Sequence, residues 1–322
     1  MKLEPKAKFL SEFQEEVYEG LTSFPKYLSS KYFYDKKGDK LFQQIMELPE
    51  YYLTGCEYSI LSHYAEEITA FFTSKTGFDL IELGAGDGKK TKILLEQLMK
   101  EGHNFSYKPI DISENVLNEL EKSVNEKWPD LDIEIQQGTY FKILEKIALY
   151  NLRKKVILVL GSNIGNLSHP EAINFLRNIQ ETMHHGDLLF LGVDQKKDPN
   201  TILKAYNDSS KVTEAFNKNL LYRINEDMEA NFDPENFLHW PTYNPETGTT
   251  TSYLVSTIEQ QVHINALNLS INFDKWESIQ TEISQKYDDA TITWLAEEAG
   301  LLMVTQFEDD KSYFKDYIFK KK

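Results

Sequence analysis

The chain has 322 residues, with 35 Lys and Arg against 51 Asp and Glu, for a formal net charge of −16. That length accommodates about two domains of roughly 150 residues each, and 41% hydrophobic with 27% charged residues is the composition of a globular protein. No apolar stretch approaches the roughly 18 to 20 residues of a membrane span, and the acidic balance leaves no positive field to neutralise phosphates, so a membrane protein is excluded and a nucleic-acid binder is disfavoured.

Cys56 is the single cysteine, which rules out an intramolecular disulfide and a multi-cysteine zinc site. Met1 to Glu16 has no apolar core of the kind a signal peptide carries. A cytoplasmic protein is expected, favoured as a monomer, with small molecules as partners.

From Phe78 to Lys197 short apolar runs alternate with amphipathic segments, the pattern of parallel strands joined by crossover helices. Phe78 to Leu83 reads as the first strand and Lys89 to Met99 as a helix with an apolar stripe of Ile93, Leu94, Leu95 and Leu98. A second strand ends at Asp111, and Ser113 is placed to cap the helix after it. Ile133 to Gln137, Lys155 to Gly161 and Asp187 to Val193 complete five strands of a doubly wound, Rossmann-like α/β sheet. Beyond Asp194 the rhythm changes. A polar stretch from Asn207 to Thr250 and β-like runs at Thr250 to Gln261 and Ala266 to Phe273 read as an inserted lobe. A helix from Thr291 to Ala299 and strands Leu301 to Phe307 and Tyr313 to Phe319 are expected to close the sheet. The reading divides the chain into a cofactor-binding domain, 57–196 with 287–322, and a substrate-binding lobe, 1–56 with 197–286.

The strongest local signal is Glu82-Leu83-Gly84-Ala85-Gly86-Asp87-Gly88, between a strand and a helix. Glycines there let the backbone take positive φ and approach a ligand. The dinucleotide pattern Gly-x-Gly-x-x-Gly would need its third glycine where Lys89 stands, and the spacing Glu-x-Gly-x-Gly-x-Gly favours S-adenosylmethionine. Asp111, ending the next strand, is placed to accept ribose hydroxyls. A second cluster, Gly161-Ser162-Asn163-Ile164-Gly165-Asn166-Leu167, follows the fourth strand, at the sheet end where ligands bind in open α/β folds. The histidines show no pair spaced i, i+4 around a carboxylate, so no metal site is expected. A nucleophile elbow and a Walker loop are both missing, and Cys56 has no neighbouring histidine, so hydrolase and NTPase chemistry lack an anchor.

Taken in order, Phe33-Tyr34-Asp35, Leu48-Pro49-Glu50-Tyr51-Tyr52, the glycine turn with Lys90-Thr91, Gly161 to Leu167, Ala205-Tyr206-Asn207-Asp208 with Ala215-Phe216-Asn217, and Glu282-Ile283-Ser284-Gln285-Lys286-Tyr287 resemble the histidine Nα-methyltransferases of ergothioneine biosynthesis, over nearly the whole chain. The resemblance implies an S-adenosylmethionine-dependent N-methyltransferase acting on the α-amino group of free histidine, up to the trimethyl betaine. It implies that Glu82, Gly84, Gly86, Lys90 and Asp111 surround the cofactor, with Thr139 and Tyr140 near the adenine. There the family usually carries Gly-Asp-Phe and this chain has Gly138-Thr139-Tyr140. Asn166 and Tyr206 are implied to hold the amino acid's amino and carboxylate groups, with Tyr34 near the amine and Tyr51, Glu282 and Ser284 around the imidazole. Ser252 stands where the histidine enzymes place Met against the ring. The competing readings are N-methylation of another small amino acid or amine, and a cofactor-binding module without turnover, which the presence of Asn166, Tyr206 and Glu282 opposes.

Overall fold

A computed structural model of the chain describes residues 9–138 and 153–322. The chain divides into two compact units, Met1–Glu50 with Pro199–Ser284, and Tyr51–Asp198 with Gln285–Lys322. The first unit begins with α1 (Glu12–Thr22), β1 (Lys26–Tyr27), a 3-10 turn at Ser30–Phe33 and α2 (Lys36–Met46). The α2 helix starts where it does because Asp35 accepts the orphan N–H groups of Lys37 and Gly38, at 3.0 and 2.6 Å.

The second unit follows with α3 (Tyr52–Phe72), β2 (Phe78–Leu83), α4 (Thr91–Lys100), β3 (Phe105–Asp111), α5 (Glu114–Lys127), β4 (Asp132–Ile133), β5 (Gln136–Gln137), β6 (Lys154–Val159), α6 (His169–Thr182) and β7 (Leu188–Asp194). The chain then returns to the first unit through α7 (Pro199–Tyr206), α8 (Val212–Met228), β8 (Phe237–Asn244), β9 (Thr249–Ser256), β10 (Gln260–Ile264), β11 (Leu269–Phe273) and β12 (Ser278–Gln285). It ends in the second unit with α9 (Asp289–Glu298), β13 (Leu301–Glu308) and β14 (Phe314–Lys321).

In the second unit the strands lie in the order β13-β14-β7-β6-β2-β3-β4, with β5 also on β3. Strands β4, β3, β2, β6 and β7 run parallel, and β14 and β13 add antiparallel at the edge. This is the doubly wound sheet closed by a hairpin that the apolar rhythm predicts. Alternate residues of each central strand feed opposite cores. Ile81, Leu83, Ile157, Val159, Leu189 and Leu191 pack with α6 and α9 on one face. Phe78, Leu80, Val156, Leu158, Leu188 and Phe190 pack with α3, α4 and α5 on the other. With helices on both faces, β2 and β7 have every residue buried, which is why they read as mostly apolar runs, interrupted in β2 by Asp79 and Glu82 and closed in β7 by Asp194.

In the first unit β1, β12, β9 and β8 form a four-stranded sheet in that order, and β10 and β11 a separate hairpin. Strand β9 alternates between half-buried and buried residues, the signature of a sheet covered on one face. The polar stretch Asn207 to Thr250, read as part of the inserted lobe, contains α8 and β8. Its Asn, Lys and Glu residues mask a helical stripe of Phe216, Leu220, Leu221, Ile224 and Met228, all buried. The predicted strand over Thr250 to Gln261 divides at Ser256, where β9 ends before β10 begins, and the strand over Ile133 to Gln137 is two short pieces. No helix among the described residues is long and apolar enough to cross a membrane.

Candidate functional site

In the second unit β2 has β3 on one side and β6 on the other, and both pairings are parallel. The chain leaves β2 toward β3 and later returns to the opposite flank, so the order reverses at β2, the place where open α/β sheets leave a crevice beyond the strand C-termini. Both sequence clusters stand there. Gly84, Gly86 and Gly88 all take positive φ, +76°, +54° and +64°. The Gly84 and Ala85 N–H groups donate to Ile110 O at 2.8 and 3.2 Å, which ties the turn to β3. Gly86 N–H donates to Asp111 Oδ2 at 3.0 Å, and Ser113 N–H to Asp111 Oδ1 at 3.0 Å. Burial pushes the Asp111 carboxyl above its ordinary range, and the backbone N–H groups of Ser113, Gly86 and Ile112 oppose that shift.

The turn fits a nucleoside ligand on its own geometry. A Cβ placed on Gly86 would meet no heavy atom within 4 Å, so the backbone presents an open cradle beside a carboxylate whose orientation is fixed from two sides. Glu82 has a different position from its neighbours in the motif. It is 2% exposed, and its two oxygens accept the Thr91 and Tyr107 hydroxyls. Burial pushes its carboxyl up to about 7 against those two hydrogen bonds. Its observed contacts join the end of β2 to the first residue of α4 and to β3. The Lys90 ammonium pairs with Glu57 of α3. Thr139 and Tyr140 lie outside the described residues.

The loop after β6 is held as tightly. Gly161 and Ser162 take φ +75° and +59°, and Gly161 N–H donates to both oxygens of Glu57 at 2.9 Å. Asp194 N–H donates to Ser162 Oγ at 3.0 Å, and Tyr287 hydroxyl donates to Ile164 O at 3.3 Å. Asn166, which closes the 3-10 turn Asn163–Asn166, is half-buried, and its amide makes no hydrogen bond among the described residues. A rigid loop thus presents a free amide at the C-terminal end of the sheet. Beside it Asp194, wholly buried, is paired with Lys286 at 2.9 Å and with Lys197, and accepts the Tyr52 hydroxyl at 2.9 Å. Tyr51 immediately precedes α3. Cys56 is inert as a nucleophile, because burial and the neighbouring Asp309 push its thiol up to about 12.

The remaining predicted residues lie in the first unit. Tyr206, at the end of α7, is buried and donates its hydroxyl to Ser284 Oγ at 2.8 Å. Ser284 and Glu282 are two apart on β12 and share a face of the strand. Ser252, on the neighbouring β9, is buried and its Oγ lies 3.5 Å from Glu282 Oε2. Behind them Thr281 donates to Asn217 Oδ1 at 2.7 Å. Tyr34 follows the 3-10 turn and packs edge-on against Phe42 and Phe216, with ring centroids 5.6 and 5.8 Å away. The Asp35 cap next to it, which also accepts Asn219 Nδ2 at 3.0 Å, fixes the backbone that carries the ring. The structure therefore joins Tyr206 to Ser284 and Ser252 to Glu282 in one unit, and gathers Glu82, Gly84, Gly86, Lys90, Asp111, Asn166 and Tyr51 in the other.

Sequence reasoning missed Glu57, Asp194 and Lys286, the buried charges that brace the loops. For Glu57 a signal existed: it falls on the buried stripe of α3 between Leu53 and Ile60, where an unpaired carboxylate would be untenable.

The chain matches the family described as "Histidine-specific methyltransferase, SAM-dependent" over residues 13–321. It is similar to the histidine N-alpha-methyltransferase of Mycolicibacterium smegmatis, 34% identical over 94% of this chain and 92% of that one. It is 26% identical to the ergothioneine biosynthesis protein 1 of Schizosaccharomyces pombe, over 91% of this chain and 39% of that one. It is 28% identical to an L-tryptophan methyltransferase of Psilocybe serbica, over 92% of this chain and 90% of that one.

Proposed function

The chain belongs to the family of histidine-specific, S-adenosylmethionine-dependent methyltransferases, and from that premise we propose that it methylates the α-amino nitrogen of free L-histidine in successive transfers up to the trimethyl betaine, hercynine. The observation that carries the substrate is the polar pairing on β12. Glu282 and Ser284 share a face, with Ser252 beside the first and the Tyr206 hydroxyl on the second. A neutral imidazole offers one N–H and one acceptor nitrogen, so a carboxylate and a hydroxyl satisfy both edges of the ring. An apolar side chain in the same place can exchange no hydrogen bond with that pair, and a site built to hydrogen-bond its substrate rejects an analogue that cannot.

S-adenosylmethionine, held by Gly84, Gly86, Lys90 and Asp111, supplies an electrophilic methyl group. The chain's own residues supply position and proton state. An α-amino group titrates near about 8 in peptides, so most of it carries a proton at neutral pH and must lose it to expose a lone pair. The Asn166 amide oxygen is an acceptor for an amine N–H, and an amide held in a fixed turn orients that lone pair without reorganisation. The Tyr206 hydroxyl, already committed to Ser284, is placed as a polar partner for the substrate's charged end. As methyl groups accumulate, N–H donors are lost and a fixed positive charge is gained. The Tyr34 face, held by Phe42 and Phe216, then offers cation–π stabilisation of about 0.5 to 2 kcal/mol.

A second reading, transfer to another small amino acid or amine, is favoured by Ser252, a small polar residue where the histidine enzymes carry Met. The test covers both. The purified protein is incubated with S-adenosylmethionine and each common amino acid, and products are read by mass spectrometry for one, two and three added methylene units. Conversion of histidine to the species with three supports the proposal, and an unmodified histidine alongside a methylated tryptophan or other amine overturns it. A lone, unpaired Cys56 suits a reducing cytoplasm, and a monomer is the state expected in solution, which light scattering reads directly.

A further inference from the structure

The mechanism above leaves unused a pair of buried carboxyl groups in the second unit. Glu57, wholly buried on α3, receives the Gly161 N–H on both oxygens and the Lys90 ammonium. Asp316, wholly buried on β14, has no N–H or O–H donor on either oxygen among the described residues. The acidic group that faces it is Glu57. The two side chains converge over β7, where Gly192 is the register partner of Asp316. A Cβ built on Gly192 would lie 2.2 Å from Glu57 Oε1 and 2.6 Å from Asp316 Oδ1. The glycine is therefore required by the pair, not by its own backbone.

Two ionised carboxylates cannot hydrogen-bond to each other, since neither has a proton to donate, and like charges converging in a fully buried site cannot both ionise. We propose that Glu57 and Asp316 share one proton, with Asp316 as the acid donating to Glu57, and that the pair positions Lys90 and Gly161 for the cofactor. The proposal rests on the cofactor reading above. Charge accounting agrees with it: the charged groups facing Asp316 are Glu57 and Lys90, β7 contributes a bare glycine, and one proton leaves the cluster neutral. Burial first, and then the Glu57 charge, push the Asp316 carboxyl well above the usual carboxylate range. Glu57 so held is aimed at an ammonium on the glycine turn and at an N–H on the loop that leads to Asn166. A lost donor at Asp316 would free the Glu57 carboxylate to rotate, and both turns with it.

The test uses the full chain with Asp316→Asn, whose amide can donate to Glu57 but cannot ionise, and Asp316→Leu, which can do neither. Reversible urea unfolding of the parent and Asp316→Asn is measured at about pH 5 and about pH 8. The parent's native state holds a proton that its unfolded chain releases, so the folding constant of Asp316→Asn relative to the parent should rise by about tenfold or more between those values. Calorimetric titration with S-adenosylhomocysteine at neutral pH should show Asp316→Leu weakened by about tenfold or more and Asp316→Asn within about threefold of the parent, because only the amide restores the donor. A stability difference independent of pH overturns the shared proton, even if Asp316→Leu does not fold. Undiminished binding by a folded Asp316→Leu overturns the positioning role alone. A parent that does not bind S-adenosylhomocysteine overturns the cofactor reading and this proposal with it.

Discussion

Gly86 and Gly88 lie two residues apart in one turn with nearly the same backbone, φ +54° and +64°, yet a methyl group added at each meets opposite surroundings. At Gly86 no heavy atom comes within 4 Å of the new Cβ, whereas at Gly88 it would stand 2.4 Å from Leu120 Cδ1. Leu120 is 1% exposed and has no free space to retreat into. Alanine in the left-handed region costs about 1 to 2 kcal/mol at either position, and at Gly88 overpacking adds about 1 to 3 kcal/mol more. Gly86→Ala should therefore lower stability by about 1 to 2 kcal/mol and Gly88→Ala by roughly 2 to 5 kcal/mol, read by urea unfolding. Ligand affinity should follow the reverse order. On the proposed assignment, the methyl on Gly86 occupies the open cradle that the cofactor needs. S-adenosylhomocysteine affinity should fall by at least about tenfold, or about 1.4 kcal/mol, in the variant that is the more stable of the two. Calorimetric titration beside the unfolding curves separates the effects. A Gly86→Ala protein that binds within about twofold of the parent, or one less stable than Gly88→Ala, would refute the assignment of Gly86 to the cofactor and Gly88 to the core.

Three further outcomes are expected. Burial raises the Glu82 carboxyl from 4.5 to about 7, so the native state keeps a proton that the unfolded chain releases, and stability is lost as pH rises across that window. Glu82→Gln removes the dependence and should gain about 3 kcal/mol on the parent between acid and pH 8, and a difference that does not change with pH would count against it. Tyr206→Phe deletes the donor to Ser284 and should raise the KM for histidine while leaving S-adenosylhomocysteine affinity intact, with about 1 kcal/mol of stability lost; a parallel loss of cofactor affinity would contradict the separation of roles. Glu282→Ala should erode the preference for histidine over phenylalanine by about tenfold or more in kcat/KM, and an unchanged ratio would remove Glu282 from specificity.

What the sequence made legible was local. The strand from Phe78 to Leu83, the glycine turn and the helix after it are adjacent in the chain, so apolar period and glycine spacing suffice to read them. Asp111 and the Ser113 cap follow from the same logic, and Ser113 does accept Val116 N–H. The pairing of Ser252 with Glu282 was not readable, because it depends on β9 and β12 being neighbours. Helix α8 was hidden by its polar residues, although its apolar stripe was present. Gly192 could not be interpreted at all: its value comes from Asp316 in register on β14 and from Glu57 on α3.

The acidic residues read from the sequence, Glu82 and Asp111, and those that escaped it, Glu57 and Asp194, share a physical task. Buried or half-buried acidic residues stand at or beside the strand ends of the second unit, each engaged with a neighbouring turn or element. Asp111 takes the Gly86 N–H and Glu57 the Gly161 N–H, Glu82 holds the first residue of α4, and Asp194 anchors Ser162 through its own N–H. Burying a charge is unfavourable unless donors surround it, and for Asp111 and Glu57 those donors include N–H groups of the glycine-containing turns. The Asp111 and Glu57 carboxylates thereby hold the backbone N–H groups of the two turns in fixed orientations. Methyl transfer gains most from such an array, since an in-line displacement depends on holding a lone pair and a leaving group in alignment more than on any proton donor or metal. Gly86 leaves its turn open, and Asp111 and Glu57 hold the two turns in place.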